Sequence, residues 1–209
     1  MIRKLLMMSS AAAMLTVTVV ATSPARHALA GGRTECNGAF SNMRFNGGVE
    51  VLANDSCILS NVVINGGLQV VGGQFGLQNS RVNGGISIDN LREGPYNCGD
   101  TINGGIVATH IDTASTLSFG EANDNCPGGT INGGVSFTDN PSAFLELDLN
   151  RINGGLQFTG NTGDQLGSGE IEGNDVRGGA TCSGNTPPPI SDGDGGPNRY
   201  TGRNNGCPA

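Results

Sequence analysis

The fold is decided by Val63-Ile-Asn-Gly-Gly-Leu-Gln-Val70, which is followed 18 residues later by Arg81-Val-Asn-Gly-Gly-Ile-Ser-Ile88. In both stretches an apolar residue precedes Asn-Gly-Gly. An alternating apolar–polar–apolar triplet follows it, which is the period-two pattern of a half-buried strand. The motif starts at six asparagines, separated by 19, 18, 20, 29 and 21 residues: Asn46, Asn65, Asn83, Asn103, Asn132 and Asn153. A degenerate seventh copy, Arg177-Gly-Gly, stands 24 residues after the sixth.

A repeat of about 20 residues with short strands cannot bury its apolar side chains alone, whereas stacked copies form a continuous core. The sequence shows no helical pattern, and it lacks the L-x-x-L-x-L spacing of leucine-rich repeats, which share this length. The repeat therefore predicts an all-β parallel β-helix (solenoid) of about seven rungs, stacked about 4.8 Å apart.

The Asn-Gly-Gly tripeptide is predicted to form the turn between faces of the solenoid. We expect the glycines to supply the positive φ of that turn. Stacked asparagines can hydrogen-bond along their column, because each side chain carries both donors and an acceptor. A ligand-binding row is the alternative, but a structural ladder explains the position, identity and repetition of the asparagines together.

The two ends of the chain differ from the repeats. Residues 1–30 have the layout of a signal peptide, with Arg3 and Lys4, an apolar run and a final Ala28-Leu-Ala30. A membrane anchor is the alternative, but serines and threonines interrupt the run, and no second long apolar span follows. We predict the parallel β-helix over 31–182, with an N-terminal cap at 31–44, and a C-terminal capping segment over 183–209.

Charge and composition exclude several functions. The chain carries 11 basic and 18 acidic residues, and Lys4, inside the predicted signal peptide, is its single lysine. Nucleic acid is therefore not expected as a partner. The absence of Trp and the aromatic content of 4% argue against an aromatic-rich sugar-stacking module. An acidic, capped rod with no membrane span after cleavage is expected to be a monomer.

All six cysteines follow residue 30, which favours three disulfides in an oxidising compartment, although six cysteines allow 15 pairings. A zinc site is the alternative, but there is no C-x-x-C pair and His110 is the single histidine after residue 30. Cys98 and Cys126 lie five and six residues before their Asn-Gly-Gly motifs, so the register predicts that they pair. The same logic, more loosely, predicts Cys36–Cys57 and Cys182–Cys207.

Candidate catalytic residues are few. Asp89, His110, Asp112 and Asp139 lie six to nine residues past their tripeptides and could share one face, but scattered acids in solvated turns are the favoured explanation. The long segment between Asn103 and Asn132 is either a functional loop, containing Glu121, Asn123, Asp124 and Asn125, or a bulge held by Cys98–Cys126. Asp192-Gly-Asp194 resembles only part of a calcium loop. We predict no metal and no cofactor.

The repeats resemble secreted bacterial right-handed parallel β-helix proteins, many of them uncharacterised. The resemblance is carried most specifically by the ending Ile171-Glu-Gly-Asn-Asp-Val-Arg-Gly-Gly-Ala-Thr-Cys182-Ser-Gly-Asn-Thr-Pro187 and by Gly206-Cys207. It implies a right-handed solenoid and a secreted, periplasmic or cell-envelope location, and it supplies no catalytic residues. Arg177 in place of Asn and the long fourth repeat depart from the pattern.

Three functions are weighed. The favoured one is a non-catalytic surface, adhesion or carbohydrate-contacting protein with polysaccharide or a cell-surface component as partner. The alternative is a polysaccharide lyase or glycoside hydrolase of the pectate-lyase-like type. This chain lacks the paired-Asp and Gly-His-Gly motifs of polygalacturonase-like members, and it has no lysine after residue 30 to act as a base. An ice-binding face is a third possibility, but regular Thr-x-Thr columns are missing.

Overall fold

The computed structural model describes residues 32–92, 94, 96–111, 116–122, 124–141, 144–163 and 167–209. Across these residues the chain forms 23 short strands and no helix, wound as a parallel β-solenoid of about eight turns. The predicted fold class is confirmed, with one turn more than the seven expected. The predicted signal peptide, residues 1–30, lies outside the described residues. No described helix has the length and apolar character needed to span a membrane.

Three faces run along the solenoid. The first face is a nine-stranded sheet of β1 (Arg33–Glu35), β4 (Gly48–Val51), β7 (Leu68–Val71), β10 (Ile86–Asp89), β12 (Ile106–Thr109), β15 (Val135–Thr138), β18 (Leu156–Thr159), β21 (Ala180–Ser183) and β23 (Asn204–Asn205). The second is an eight-stranded sheet of β3 (Arg44–Phe45), β6 (Val63–Ile64), β9 (Arg81–Val82), β11 (Thr101–Ile102), β14 (Thr130–Ile131), β17 (Arg151–Ile152), β20 (Asp175–Val176) and β22 (Arg199–Tyr200).

The third face is divided into two three-stranded sheets. The first contains β2 (Gly38–Ser41), β5 (Ser56–Ser60) and β8 (Gln74–Gln78). The second contains β13 (Thr116–Phe119), β16 (Phe144–Asp148) and β19 (Glu170–Glu172). In the turn between them, Asn97 and Cys98 form isolated parallel bridges to Phe119 and Gln78.

Like residues stack on like residues from turn to turn. Ile86, for example, pairs with Leu68 below it and Ile106 above it. Between the end turns, the inward positions of the strands are apolar and almost fully buried. Phe75, Phe119, Phe137 and Phe158 follow one another at ring-centroid separations of 6.5, 6.4 and 6.1 Å. The alternating triplets therefore supply a single narrow core.

The tripeptide glycines have a different role from the one expected. None of them has positive φ, so this part of the prediction was wrong. A Cβ built on Gly133 would lie only 2.6 Å from the backbone nitrogen of Gly105 in the preceding turn, and one on Gly104 would lie 2.6 Å from that of Gly85. Glycine is needed because consecutive backbones pack in direct contact at this corner. Positive φ occurs at the other corners, for example at Asn61 and His110.

The two terminal segments continue the solenoid. In the segment expected to be an N-terminal cap, β1, β2 and β3 pair in register with β4, β5 and β6. In the C-terminal segment, β22 and β23 pair with β20 and β21. The ends are therefore built as further turns, and these account for the larger turn count.

Three disulfides join neighbouring turns, and they are the pairings that the register predicts. The Cα–Cα distances are 5.5 Å for Cys36–Cys57, 5.0 Å for Cys98–Cys126 and 4.8 Å for Cys182–Cys207, which match the spacing of stacked strands. Three disulfides indicate an oxidising, extracellular type of environment.

Candidate functional site

The tripeptide asparagines form a ladder on the solenoid surface, here called the outer Asn ladder (Asn65, Asn83, Asn103, Asn132 and Asn153). From Asn83 onward, each side-chain amide nitrogen donates to the Oδ1 atom of the asparagine one turn earlier, at distances of 3.1, 2.8, 2.8 and 2.6 Å. Asn46 lies at the start of the same column. The side chains satisfy one another, which supports the structural interpretation over a ligand-binding row.

The predicted catalytic residues are only partly brought together. His110 Nδ1 lies 2.8 Å from Asp89 Oδ1, and both side chains are largely exposed. Asp139 occupies the position of His110 one turn further on, because Ala108 pairs with Phe137, and both residues hold positive φ at this corner. Asp112 lies outside the described residues. An exposed pair at a turn lacks the enclosed surroundings that tune a catalytic acid or base.

The segment between Asn103 and Asn132 bulges from one corner. Glu121 forms an antiparallel bridge with Cys126, whose disulfide to Cys98 holds the bulge against the previous turn. A hydrogen bond to Asp124, then burial, raises the pKa of Tyr96 to about 12. Asp124 and Asn125 are exposed, and Asn123 lies outside the described residues. The bulge therefore covers part of the third face.

The outward surface of the nine-stranded sheet carries two columns of mostly short polar side chains. The first column contains Glu50, Gln69, Ser87, Val107, Ser136, Gln157 and Thr181, paired in register. The second includes Asp89 paired with Thr109, and Thr138 paired with Thr159, which pairs with Ser183. A shallow depression crosses this surface beside Val107, Ser136 and Gln157.

No threonine of the second column lies beside a threonine of the first column. Thr138 and Thr159 stand beside Ser136 and Gln157, and the threonine hydroxyls are 3.5 Å apart. The surface therefore has one short threonine column and not the paired columns that an ice-binding face favours.

The third face contains a group of acids that the sequence analysis did not single out, here called the acidic cluster (Glu146, Asp148, Glu170 and Glu172). The register places Glu146 beside Glu170 and Asp148 beside Glu172 on the outward side of β16 and β19. These positions normally face solvent, yet Asp148 is 1% exposed and Glu172 is 0% exposed. One carboxylate oxygen from each of Asp148, Glu170 and Glu172 lies within 4.8 Å of the others.

Burial dominates the electrostatics of this cluster. Burial, followed by a hydrogen bond to Glu121, raises the pKa of Glu146 to about 9. Burial, followed by the charges of Glu170 and Glu172, raises the pKa of Asp148 to about 8. Burial, followed by the charge of Asp192, raises the pKa of Glu170 to about 7. The protein thus withdraws several acidic groups from water at one place, which disfavours their charged forms.

The C-terminal segment covers this cluster. Ile190 bridges to Glu170, and the Glu172 carboxylate accepts hydrogen bonds from the Ser191 hydroxyl at 3.2 Å, the Gly193 amide at 2.9 Å and the Gly195 amide. A Cβ on Gly195 would lie 2.7 Å from Glu172 Oε1, so glycine permits the approach. The partial calcium-loop sequence beginning at Asp192 therefore lies against buried acids.

Alternation within the repeats was the available signal for the acidic cluster. In Leu145-Glu-Leu147 and Glu170-Ile-Glu172 the apolar residues mark the core side, which assigns the acids to the outward side. Their burial was not predictable from that pattern, because it depends on the C-terminal segment, which packs against these strands from a later turn. Comparison of the chain with protein-family models, with curated proteins and with solved structures gave no match.

Proposed function

We propose that the protein is an exported, non-catalytic β-solenoid that contacts polysaccharide, at a cell envelope or outside the cell, through the outward surface of the nine-stranded sheet. The observation that carries this proposal is the pair of in-register columns on that surface. Ser136, Gln157 and Thr159 offer hydroxyl and amide groups at the repeat of the turns, suited to the periodic hydroxyls of a polymer.

Two further features support the proposal. The three disulfides suit an oxidising compartment, as export requires. The interior is filled by apolar side chains, which leaves the extended outer surface as the place for a polymer to lie. The depression beside Val107 gives that surface an apolar contact among its polar groups.

Retention on neutral and acidic polysaccharides, measured by affinity electrophoresis, tests the proposal. The Ser136→Arg/Gln157→Arg double variant places long side chains in the depression, and we expect at least a tenfold loss of affinity. Gln78→Arg is the matched control, because Gln78 is an exposed glutamine on the third face. Wild-type protein that binds no glycan, or a double variant that binds as well as Gln78→Arg, contradicts the proposal.

The enzyme alternative has a separate assay. A lyase or hydrolase releases unsaturated products or new reducing ends from the same polysaccharides, with or without Ca²⁺. The Asp89–His110 pair is the nearest approach to acid–base machinery on this surface. We expect no product, and product formation that is lost in His110→Gln would replace the non-catalytic proposal.

A further inference from the structure

We propose that Asp148, Glu170 and Glu172 bind one calcium ion, which joins the C-terminal segment to the third face of the solenoid. The expectation from sequence was that the protein holds no metal. The proposal rests on an unpartnered buried carboxylate, on the spacing of the three acids and on the charges around them.

Asp148 is the central observation. Its side chain is 1% exposed, and neither carboxylate oxygen has a hydrogen-bond partner among the described residues. An ionised carboxylate is costly to bury here, because it loses its hydration and the Glu172 backbone, which favours its charged form, acts more weakly than burial and the neighbouring acids. Its position opposite Glu172 aims it at other carboxylates, which increases the cost. A cation between these groups removes both penalties.

The spacing of the acids suits a single ion. Two oxygens that each lie about 2.4 Å from one Ca²⁺ are separated by at most about 4.8 Å. The three carboxylates each offer an oxygen within 4.8 Å of the other two. Glu172 is already held by the Ser191, Gly193 and Gly195 donors, so one ligand is oriented by the segment that the ion would tether.

The protein supplies no cation of its own here. Within the described part of the chain the one ion pair is that of His110 with Asp89, on another face. The charges that act on Asp148 and Glu170 come from other acids, including Glu121 and Asp192. The sequence contains a single lysine, at position 4. Neutralisation must therefore come from solution, either as protons, which the raised pKa values favour, or as a cation that displaces them.

The donor set selects the type of ion. All the ligand atoms are carboxylate oxygens, which bind hard cations and not the softer metals that prefer sulfur or imidazole. Ca²⁺ accepts six to eight oxygens in irregular geometry, whereas Mg²⁺ demands near-ideal octahedral geometry and retains several waters. A crowded, largely dehydrated group of acids on two fixed strands suits Ca²⁺ better. We expect a dissociation constant between about 10 μM and 1 mM, the range from sensor to extracellular calcium modules.

Calcium binding is tested on the full, disulfide-bonded chain after removal of metals with EDTA. We expect isothermal titration calorimetry with CaCl₂ at pH 7.5 to show one ion per chain, and 5 mM CaCl₂ to raise the Tm. Magnesium chloride at the same concentration should raise it much less. Asp148→Asn should weaken Ca²⁺ binding at least tenfold and abolish the Tm shift.

Two variants complete the test. Glu170→Gln, at a partly buried position, should weaken binding in the same way, and it replaces Asp148→Asn if that variant does not fold. Asp139→Asn, an exposed acid on another face, should bind Ca²⁺ like the wild type. The proposal is overturned if Ca²⁺ gives neither heat nor a Tm shift, if Mg²⁺ binds as tightly, or if Asp148→Asn or Glu170→Gln retains wild-type binding.

Discussion

Asparagine stacks on the surface of this solenoid and also at two interior corners, one of which holds Asn140, Asn161 and Asn185. In the outer Asn ladder the side chains bond mainly to one another, near solvent. A second stack, here called the inner Asn column (Asn150, Asn174 and Asn198), lies at the corner before the second face and is at most 7% exposed. There the oxygen of each later residue accepts the backbone N–H of the earlier one, and the amides bond to backbone carbonyls.

The difference between the stacks lies in what they satisfy. If an outer asparagine is removed, water can replace the missing partner. If an inner asparagine is removed, backbone groups are left unpaired in the core, where each costs about 1 to 3 kcal/mol. The inner column is therefore expected to stabilise the fold more, although the outer ladder is the more visible feature of the sequence.

The largest expected effect is the loss of Asn174. Its Oδ1 accepts a hydrogen bond from the backbone N–H of Asn150 at 2.9 Å, and its Nδ2 donates to the Leu147 carbonyl and to Asn198 Oδ1. We expect Asn174→Ala to lower the free energy of unfolding by about 3 to 5 kcal/mol, measured by denaturant unfolding. Asn103→Ala in the outer ladder is the matched control, with an expected loss of about 1 kcal/mol. Equal losses would show that burial does not separate the two stacks.

Asp100 lies at the same corner in an earlier turn, and here we expect a replacement to stabilise the fold. Its Oδ1 accepts the Ser80 amide at 2.8 Å, but its buried Oδ2 has no partner among the described residues. Burial raises the pKa of Asp100 to about 7, from its ordinary value of 3.8. Because the folded-state pKa is the higher one, the unfolded chain ionises first, and stability falls as the pH rises from about 4 to 7.

Asp100→Asn should remove that penalty. The amide keeps the acceptor for Ser80, so we expect a gain on the order of 3 kcal/mol at pH 8 and little change at pH 3.5. Unfolding by denaturant at both pH values measures the difference. Asp139→Asn, at an exposed corner, controls for the loss of one negative charge. A gain that is the same at both pH values, or shared by Asp139→Asn, would refute the assignment of the penalty to buried Asp100.

The outer ladder depends on the close backbone contact at its own corner. A Cβ on Gly133 would lie 2.6 Å from Gly105 N and 2.7 Å from the Gly104 carbonyl, so the turns must separate to admit it. We expect Gly133→Ala to cost about 2 to 3 kcal/mol in denaturant unfolding, typical of overpacking. Gly134→Ala, whose nearest backbone contact is 3.0 Å, should cost less. The reverse order would mean that backbone spacing does not set the requirement for glycine.

The periodic features were predictable from sequence, and the folded-back ones were not. Repeated Asn-Gly-Gly at near-constant spacing fixed the stacking register, and with it Cys98–Cys126 and the outer ladder. The inner Asn column was not predicted. Asn150 and Asn174 each stand three residues before a tripeptide, but that position shows no constant residue, because it holds Ser80, Asp100 or Gly129 in other turns. Inference of positive φ from Gly-Gly failed because glycine also serves close packing.

The acidic cluster shows the same limit at the candidate site. Alternation placed Glu146 and Asp148 on the outward side of β16, where solvation is the ordinary expectation. Their burial depends on the bulge around Glu121 and on residues 190–195, which return from other turns. No local pattern specifies such a contact. Asp89 and His110, two residues from adjacent turns at one corner, were found because the register alone brings them together.

The smallest expected effect concerns the end of the outer ladder. Asn153 donates to Asn132 at 2.6 Å, but its own buried Oδ1 has no partner among the described residues, because Arg177 stands where the next asparagine would be. Arg177→Asn should add one rung to the ladder and raise the free energy of unfolding by about 0.5 to 1 kcal/mol. Arg177→Ala removes the same charge without supplying a donor, and it should give no gain. If both variants have the same stability, the unpaired oxygen of Asn153 is satisfied by water, and the outer ladder gains nothing from length.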